Sequence, residues 1–364
     1  MSENGETAAG PANFAAASRL IAGAKRILIS GHLSPDGDAL GSMIALARLL
    51  RNAGFDAFAT ADLHALGKPG FLEGVSDLLP LRKLKRRRFD LFVALDCSSF
   101  DRMPPEVRPV AEKLPILCID HHATNDGTFG AVQIVDPQAS STGEIVWRFA
   151  KWMEWPLDHV IAEALWVALI TDTGRFAYDA TSPRTFRAAS DLLRHGVRTS
   201  LINDIIYGTF SRKAIELKRI AWRSLHVWKN RRVAEVTLTR DDFRSVRGTK
   251  AEAEDIIEIP RSVARNEIAL FFYQIPDRTK ETRCSIRTRG DRDATVLAAK
   301  FGGGGHRKAS GCTIKKPLAT AKRLMRAAVR ELLKGAARRP AKPLPEVQTA
   351  TKEEVENAKG ADSN

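Results

Sequence analysis

Leu114-Pro115-Ile116-Leu117-Cys118-Ile119 runs without a break into Asp120-His121-His122. A short apolar run of this kind reads as a buried strand, and strands that are apolar on both faces belong to parallel sheets covered on both sides. The run therefore delivers an acid and two imidazoles to one edge of a sheet. Alone the tripeptide is a weak signal, because surface turns collect the same residues.

Its neighbours repeat the pattern. Arg26–Ser30 is a compact strand leading into Gly31-His32-Leu33-Ser34-Pro35-Asp36-Gly37-Asp38, a turn rich in breakers. Leu40, Met43, Ile44, Leu46, Ala47 and Leu50 follow at helical spacing, Gly54 ends that helix, and 55–60 reads as a second strand. This is a βαβ unit, which predicts a parallel sheet. A third strand, 89–95, ends on Asp96, and 131–135 is a shorter one. Helices are predicted over Thr142–Trp152, over 158–170 closing on Thr171-Asp172-Thr173-Gly174, and over Pro183–Leu193.

A second region opens with a strand at 232–239. It continues with a helix at 251–264, strands at 268–274 and 282–289, a helix at 294–301 and the run Gly302-Gly303-Gly304-Gly305-His306. A short strand through 312–314 and a helix over 318–334 complete it. The expected organisation is a disordered N-terminus (1–15), an α/β domain with a parallel sheet (16–197), a helical linker (198–228), a smaller α+β domain (229–334) and a disordered tail (335–364).

Composition narrows the class. With 44% apolar and 27% charged residues the chain reads as a soluble globular protein, and no apolar run approaches the ~20 residues of a membrane span. Glu3 and Glu6 stand where a secretory leader carries positive charge, so a cytoplasmic location is expected. Cys97, Cys118, Cys284 and Cys312 make no C-x-x-C pair and read as buried free thiols. A net charge of +14 favours polyanionic partners such as nucleic acid or nucleotides. The run Arg82-Lys83-Leu84-Lys85-Arg86-Arg87-Arg88 reads as a solvated loop, with nucleic-acid contact as the sharper alternative.

Four acidic clusters follow apolar segments: His32-x-x-x-Asp36-x-Asp38, Asp96, Asp120-His121-His122 and Asp172. The first three follow strands, so a parallel sheet brings them to its carboxyl edge, where open α/β sheets bind ligands. Each has an ordinary explanation; Asp36 or Asp38 would cap the next helix, and Asp96 would close a turn. Together they put more carboxylates into one crevice than can stay charged without a cation. Carboxylate and imidazole donors without thiolate suit manganese, magnesium or iron, and this many acids suit two ions, the clamp used for attack on phosphorus. Neither G-x-G-x-x-G after a strand, G-x-x-x-x-G-K-[ST] nor H-E-x-x-H occurs, so hydride transfer and the usual nucleoside-triphosphate hydrolysis lack support. In the second region, strand alternation sets Arg283, Ser285, Arg287 and Arg289 on one face, and the glycine run before His306 offers close backbone approach and an anion nest.

These residues resemble the DHH phosphoesterase family with its DHH-associated C-terminal domain. Gly31-His32-x-x-Pro35-Asp36-Gly37-Asp38-Ala39-Leu40-Gly41-Ser42 is similar to its first motif, Asp96 to the second, Asp120-His121-His122 to the third and Thr171-Asp172-Thr173-Gly174 to the fourth. Gly302 to Gly311 resembles the signature of the C-terminal domain, with Ser310 and Thr288 as mild departures. The resemblance implies a Rossmann-like N-terminal domain and a homodimer. Its branch of compact oligoribonucleases (nano-RNases) implies manganese-dependent hydrolysis of very short RNA to nucleoside monophosphates, and removal of the 3′-phosphate of 3′-phosphoadenosine-5′-phosphate. It further implies that His32, Asp36 and Asp96 hold one manganese and that Asp38, Asp96, His121 and Asp172 hold the other. His122 would contact the scissile phosphate and protonate the leaving oxygen, and Asp120 would orient the histidine pair. Arg287 and His306, beside the backbone of Gly303, Gly304 and Gly305, would grip a nucleotide phosphate.

Two rivals stay open: a cyclic or linear dinucleotide phosphodiesterase of the same family, and a nucleotide-binding protein on a decayed scaffold. The intact set of acids and histidines speaks against decay. The absence of an aromatic-rich basic segment speaks against a processive exonuclease that grips long strands.

Overall fold

The computed structural model describes residues 10–274 and 280–335. The sequence expectations for residues 1–9 and 336–364 lie outside the described residues. The chain divides between Thr209 and Phe210 into two compact units, inside the stretch read from sequence as a linker.

The first unit opens with α1 (Pro11–Ala22), β1 (Arg26–Ser30), α2 (Gly37–Asn52) and β2 (Asp56–Thr60). It goes on through β3 (Leu91–Leu95), α3 (Arg108–Ala111), β4 (Ile116–Asp120) and β5 (Val132–Val135) to α4 (Thr142–Trp152), α5 (His159–Asp172), α6 (Pro183–Leu193) and α7 (Thr199–Asn203). The sheet is wholly parallel, in the order β2-β1-β3-β4-β5. Its strands are apolar on both faces because both are covered. Ile27, Ile29, Val93 and Ile119 pack with α1, α2, α4 and α5, while Leu28, Phe92 and Ala94 pack on Leu84, Phe89, Met103 and Val107.

Helix α1 starts at Pro11, earlier than expected, because Gly10 leads into a proline whose fixed φ and missing N–H suit a first helical turn. Residues 63–86, which carry no helical periodicity, form four short 3₁₀ turns (Leu63–Ala65, Lys68–Phe71, Glu73–Asp77 and Leu81–Arg86). Helices α2 and α5 touch backbone to backbone. A Cβ built on Gly41 would lie 2.2 Å from the Ala164 carbonyl oxygen, and one on Gly37 would lie 2.4 Å from the Thr171 side chain.

The second unit contains α8 (Arg212–Arg223), β6 (His226–Trp228), β7 (Val233–Leu238), α9 (Arg240–Val246), α10 (Glu258–Arg261), β8 (Ile268–Gln274) and β9 (Thr282–Thr288). It ends with α11 (Ala294–Ala299), β10 (Gly304–His306), β11 (Ala309–Ile314) and α12 (Leu318–Gly335). The mixed sheet runs β10-β11-β9-β8-β7-β6, with only β7 and β8 parallel. One face is closed by α11 and α12 over Cys284, Ile286, Cys312 and Ile314. On the other, α8, α9 and the turns before α10 cover Val236, Ala269, Phe271 and Tyr273. Arg283, Ser285, Arg287, Ala309, Gly311 and Thr313 are half-buried.

The helix expected at 251–264 is a 3₁₀ run (Ala251–Ile257) followed by the single turn α10, which contains Pro260. The glycine run differs too. Gly304–His306 is an edge strand, and Gly303 is required because a Cβ there would lie 2.2 Å from the Gly311 carbonyl oxygen. Close strand packing accounts for Gly303 and Gly305, whereas Gly302 and Gly304 have open space around them.

Candidate metal centre

The clusters singled out in sequence meet at the carboxyl edge of the first sheet. Strand β3 ends at Leu95, and Asp96 turns the chain with φ 55°. That left-handed backbone costs a non-glycine residue of order 1–3 kcal/mol, so the surroundings must enforce it. Three interactions hold Asp96 there. Its N–H donates to the Ile119 carbonyl at 3.0 Å, its Oδ1 accepts from Thr142 Oγ1 at 3.0 Å, and its Oδ2 lies 3.6 Å from His32 Nε2.

Asp36 caps α2, its Oδ1 accepting the N–H of Asp38 and Ala39 at 3.1 Å, and the same oxygen lies 3.8 Å from His32 Nε2. The capping and ligand-like readings thus apply to one residue at once. Asp38 is fully buried on the first turn of α2. It accepts the N–H of Thr142 at 2.7 Å and of Gly143 at 2.9 Å, from the N-terminus of α4, and the Ser42 hydroxyl at 3.2 Å. His121 Nε2 sits 3.0 Å from Asp172 Oδ2 at the end of α5, and 3.6 Å from both Asp38 Oδ2 and Asp96 Oδ1.

Asp120 was expected to orient both histidines. Its Oδ1 accepts from His122 Nδ1 at 2.7 Å and from the His122 N–H at 3.2 Å, and its Oδ2 accepts from Asn125 Nδ2 at 2.8 Å. For His121 the orienting partner is the Ala139 carbonyl, 3.3 Å from Nδ1. The difference follows from alternation: adjacent residues at a strand end turn opposite ways.

Burial opposes the charge on His32, but the hydrogen bonds and charges of Asp36 and Asp96 outweigh it and push its pKa up to about 10. His121 is likewise raised, against burial, by Asp172, Asp38 and Asp96, and His122 by Asp120 and Asp96. Burial and the neighbouring Asp96 and Asp172 charges drive Asp38 well above the carboxylate range. Asp96 moves down, the imidazoles on three sides overcoming its burial.

The donor set fits divalent cations. Ligand atoms of His32, Asp36 and Asp96, of Asp38, His121 and Asp172, and of Asp96, His121 and His122 each lie within 4.8 Å of one another. Two donors about 2.1 Å from one octahedral ion lie about 3 Å apart when adjacent, close to the separations seen here. Asp96 belongs to two of these groups and turns one oxygen to each. When bound, such ions neutralise phosphate charge and activate water for attack on phosphorus.

Sequence reasoning missed Thr142, Gly143, Ser42, Asn125 and Ala139. The pattern Ser141-x-x-Glu144 is a helix-start signal that would have put the α4 amides at this edge, since Ser141 caps α4.

In the second unit, β9 carries Arg287 opposite Ala309 of β11, and Ala309 stands opposite His306 of β10. The register therefore sets His306, Ala309 and Arg287 in one cross-strand row. Arg287 is half-buried, with its guanidinium donating to the Ile286 carbonyl at 3.2 Å.

Residues 26–169 match the model of the DHH family, N-terminal domain, and residues 245–335 match that of the DHHA1 domain. Over 301 residues the sequence is 31% identical to the bifunctional oligoribonuclease and PAP phosphatase NrnA of Thermus thermophilus, covering 79% of this chain and 84% of that protein. The chain belongs to the DHH family. A second relative, the bifunctional oligoribonuclease and PAP phosphatase NrnA of Bacillus subtilis, is 26% identical over 293 residues, covering 79% of this chain and 89% of that one. The crystal structure of an exopolyphosphatase-related protein from Bacteroides fragilis superposes with a TM-score of 0.80 at 24% identity, covering 88% of this chain and 96% of that one, and so shares the fold. This DHH protein is accordingly a metal-dependent phosphoesterase, with its buried Asp/His group as the metal site. No helix among the described residues is long and apolar enough to cross a membrane.

Proposed function

We propose that the protein hydrolyses very short RNA oligonucleotides to nucleoside monophosphates and removes the 3′-phosphate of 3′-phosphoadenosine-5′-phosphate, using two divalent cations, manganese by preference. The observation that carries the two-cation reading is Asp96, whose oxygens face His32 on one side and His121 on the other. His32, Asp36 and Asp96 would hold one ion, and Asp38, Asp96, His121 and Asp172 the other. The names of the relatives support the substrate class.

The chain's own residues do the rest. The α4 amides and Ser42 fix both oxygens of Asp38, and Thr142 fixes Asp96, so the site is preorganised. His122 keeps a proton on Nδ1 through Asp120, which turns Nε2 to the reacting phosphate; from Nε2 the protonated ring gives its proton to the leaving oxygen. In the second unit, the guanidinium of Arg287 takes a nucleotide phosphate, with His306 in the same row and the Gly303, Gly304 and Gly305 backbone beside it.

The test is turnover by the pure protein, in manganese and in chelator, of RNA dimers to five-mers, a long RNA, 3′-phosphoadenosine-5′-phosphate and cyclic di-AMP. Manganese-dependent release of monophosphates from the shortest RNAs is expected. Equal turnover of long and short RNA, or activity on cyclic di-AMP alone, overturns the reading.

A further inference from the structure

The basic run Arg82-Lys83-Leu84-Lys85-Arg86-Arg87-Arg88 takes no part in the metal centre. Its seating is specific. A 3₁₀ turn has three residues per revolution, so Leu81 and Leu84 share one side of Leu81–Arg86. Leu84 is fully buried in the cluster beneath the sheet, with Leu81 packed against it. The six basic side chains are thereby left exposed.

None of the six has a carboxylate partner among the described residues, unlike the exposed Arg108, 2.6 Å from Glu112, and Arg219, 2.8 Å from Glu216; what sets the run apart is six such cations within seven residues. The acids nearby are committed. Asp77 binds Arg51 at 2.9 Å, and Asp90 accepts the N–H groups of Lys25 and Arg26. Beside the run lies a groove of about 810 Å³ lined largely by apolar residues, Phe58 among them, with Lys83, Arg87 and His64 at it and Asp77, already paired with Arg51, as its acid. The guanidinium of Arg87 covers the Phe58 ring at 4.4 Å, and Phe89 meets that ring edge-on, so the ring offers little surface for base stacking.

Six unpaired like charges within seven residues repel one another, and a partner bearing regularly spaced anions relieves them. We propose that this run and its groove form an accessory site for the phosphate backbone of single-stranded RNA, read without regard to sequence and separate from the metal centre. A concave groove edged by Lys83 and Arg87 and flanked by the rest of the basic run suits a strand better than a planar lipid surface. Recognition through phosphates alone makes the binding weak and steeply salt-dependent.

The test is fluorescence anisotropy with a labelled 24-nucleotide RNA, across 50 to 200 mM salt, in manganese and in chelator. Six phosphate contacts at about 0.7 each give a log–log slope near −4, a loss of about 300-fold over that range. Replacing Arg82, Lys85, Arg86 and Arg88 by serine should leave about two contacts, a slope near −1.4 and a loss of about 7-fold. Turnover of RNA dimers and the melting temperature of this variant should match wild type. An unchanged slope in the variant, or binding to phosphatidylserine vesicles with none to RNA, overturns the proposal. A milder double variant, K85E/R86E, serves the same test should the quadruple variant misfold.

Discussion

Thr142→Val tests whether the N-terminus of α4 sets the metal centre. The exchange keeps the shape of the side chain and the Thr142 N–H that binds Asp38 at 2.7 Å, and removes only the hydroxyl that donates to Asp96 Oδ1 at 3.0 Å. Asp96 is almost fully buried, so water does not replace the lost donor. A hydrogen bond to a buried charged group contributes about 1.5–3 kcal/mol. In the metal-loaded site that energy appears as ligand positioning, and loss of an orienting partner typically lowers metal affinity about 10- to 100-fold, or about 1.4–2.7 kcal/mol. The two routes agree. In a manganese titration of phosphate release the activation midpoint should rise by that factor, with kcat at saturating manganese reduced far less. Thr142→Ser, which keeps the donor, should return the midpoint to within a few-fold of wild type. A T142V midpoint equal to wild type would refute the role given to this hydroxyl.

Other outcomes follow from the same geometry. Gly303→Ala should lower the melting temperature of the second unit, since its Cβ falls 2.2 Å from the Gly311 carbonyl oxygen and strain of that kind costs about 1–3 kcal/mol; Gly304→Ala, with nothing within 4 Å, should melt like wild type while raising KM. Manganese at a hundred times its Kd should add about 2.7 kcal/mol to the stability of the first unit, read as a melting shift of about 5–10 °C that chelator abolishes. Glu235 is buried, and although burial opposes its charge, Arg326 and Lys322 hold its pKa below the ordinary range. Its contribution is therefore complete above about pH 4.3, the unfolded value, and disappears as pH falls through the lower folded one. Glu235→Gln should flatten the acid limb of the melting curve of the second unit, and an unaltered limb would count against this.

The fold was legible because parallel strands buried on both faces leave unbroken apolar runs, as at Arg26–Ser30 and Ile116–Asp120, each with its acid or histidine at the carboxyl end. What stayed hidden depends on backbone rather than side-chain type. No residue pattern announces that Asp96 adopts φ 55°, or that Asp38 is held by amides from a helix that begins 104 residues later in the chain. The 3₁₀ turns over 63–86 are three to six residues long, too short for a repeating pattern to show in the sequence. The glycine run could not be resolved from sequence because close strand packing and close approach to a ligand call for the same residue; the register of β10 on β11 shows the packing at Gly303 and Gly305.

The glycine contacts between α2 and α5 have one more consequence. Helix α2 carries Asp36 and Asp38 at its start, α5 carries Asp172 at its end, and the two are seated against each other at Gly37–Thr171 and again one turn further at Gly41–Ala164. The spacing of the helix ends that carry these acids is therefore set by how closely α2 and α5 approach. A methyl group added at Gly41, 2.2 Å from the Ala164 carbonyl oxygen, should push the two helices apart and weaken divalent-cation binding while every acid and histidine stays in place.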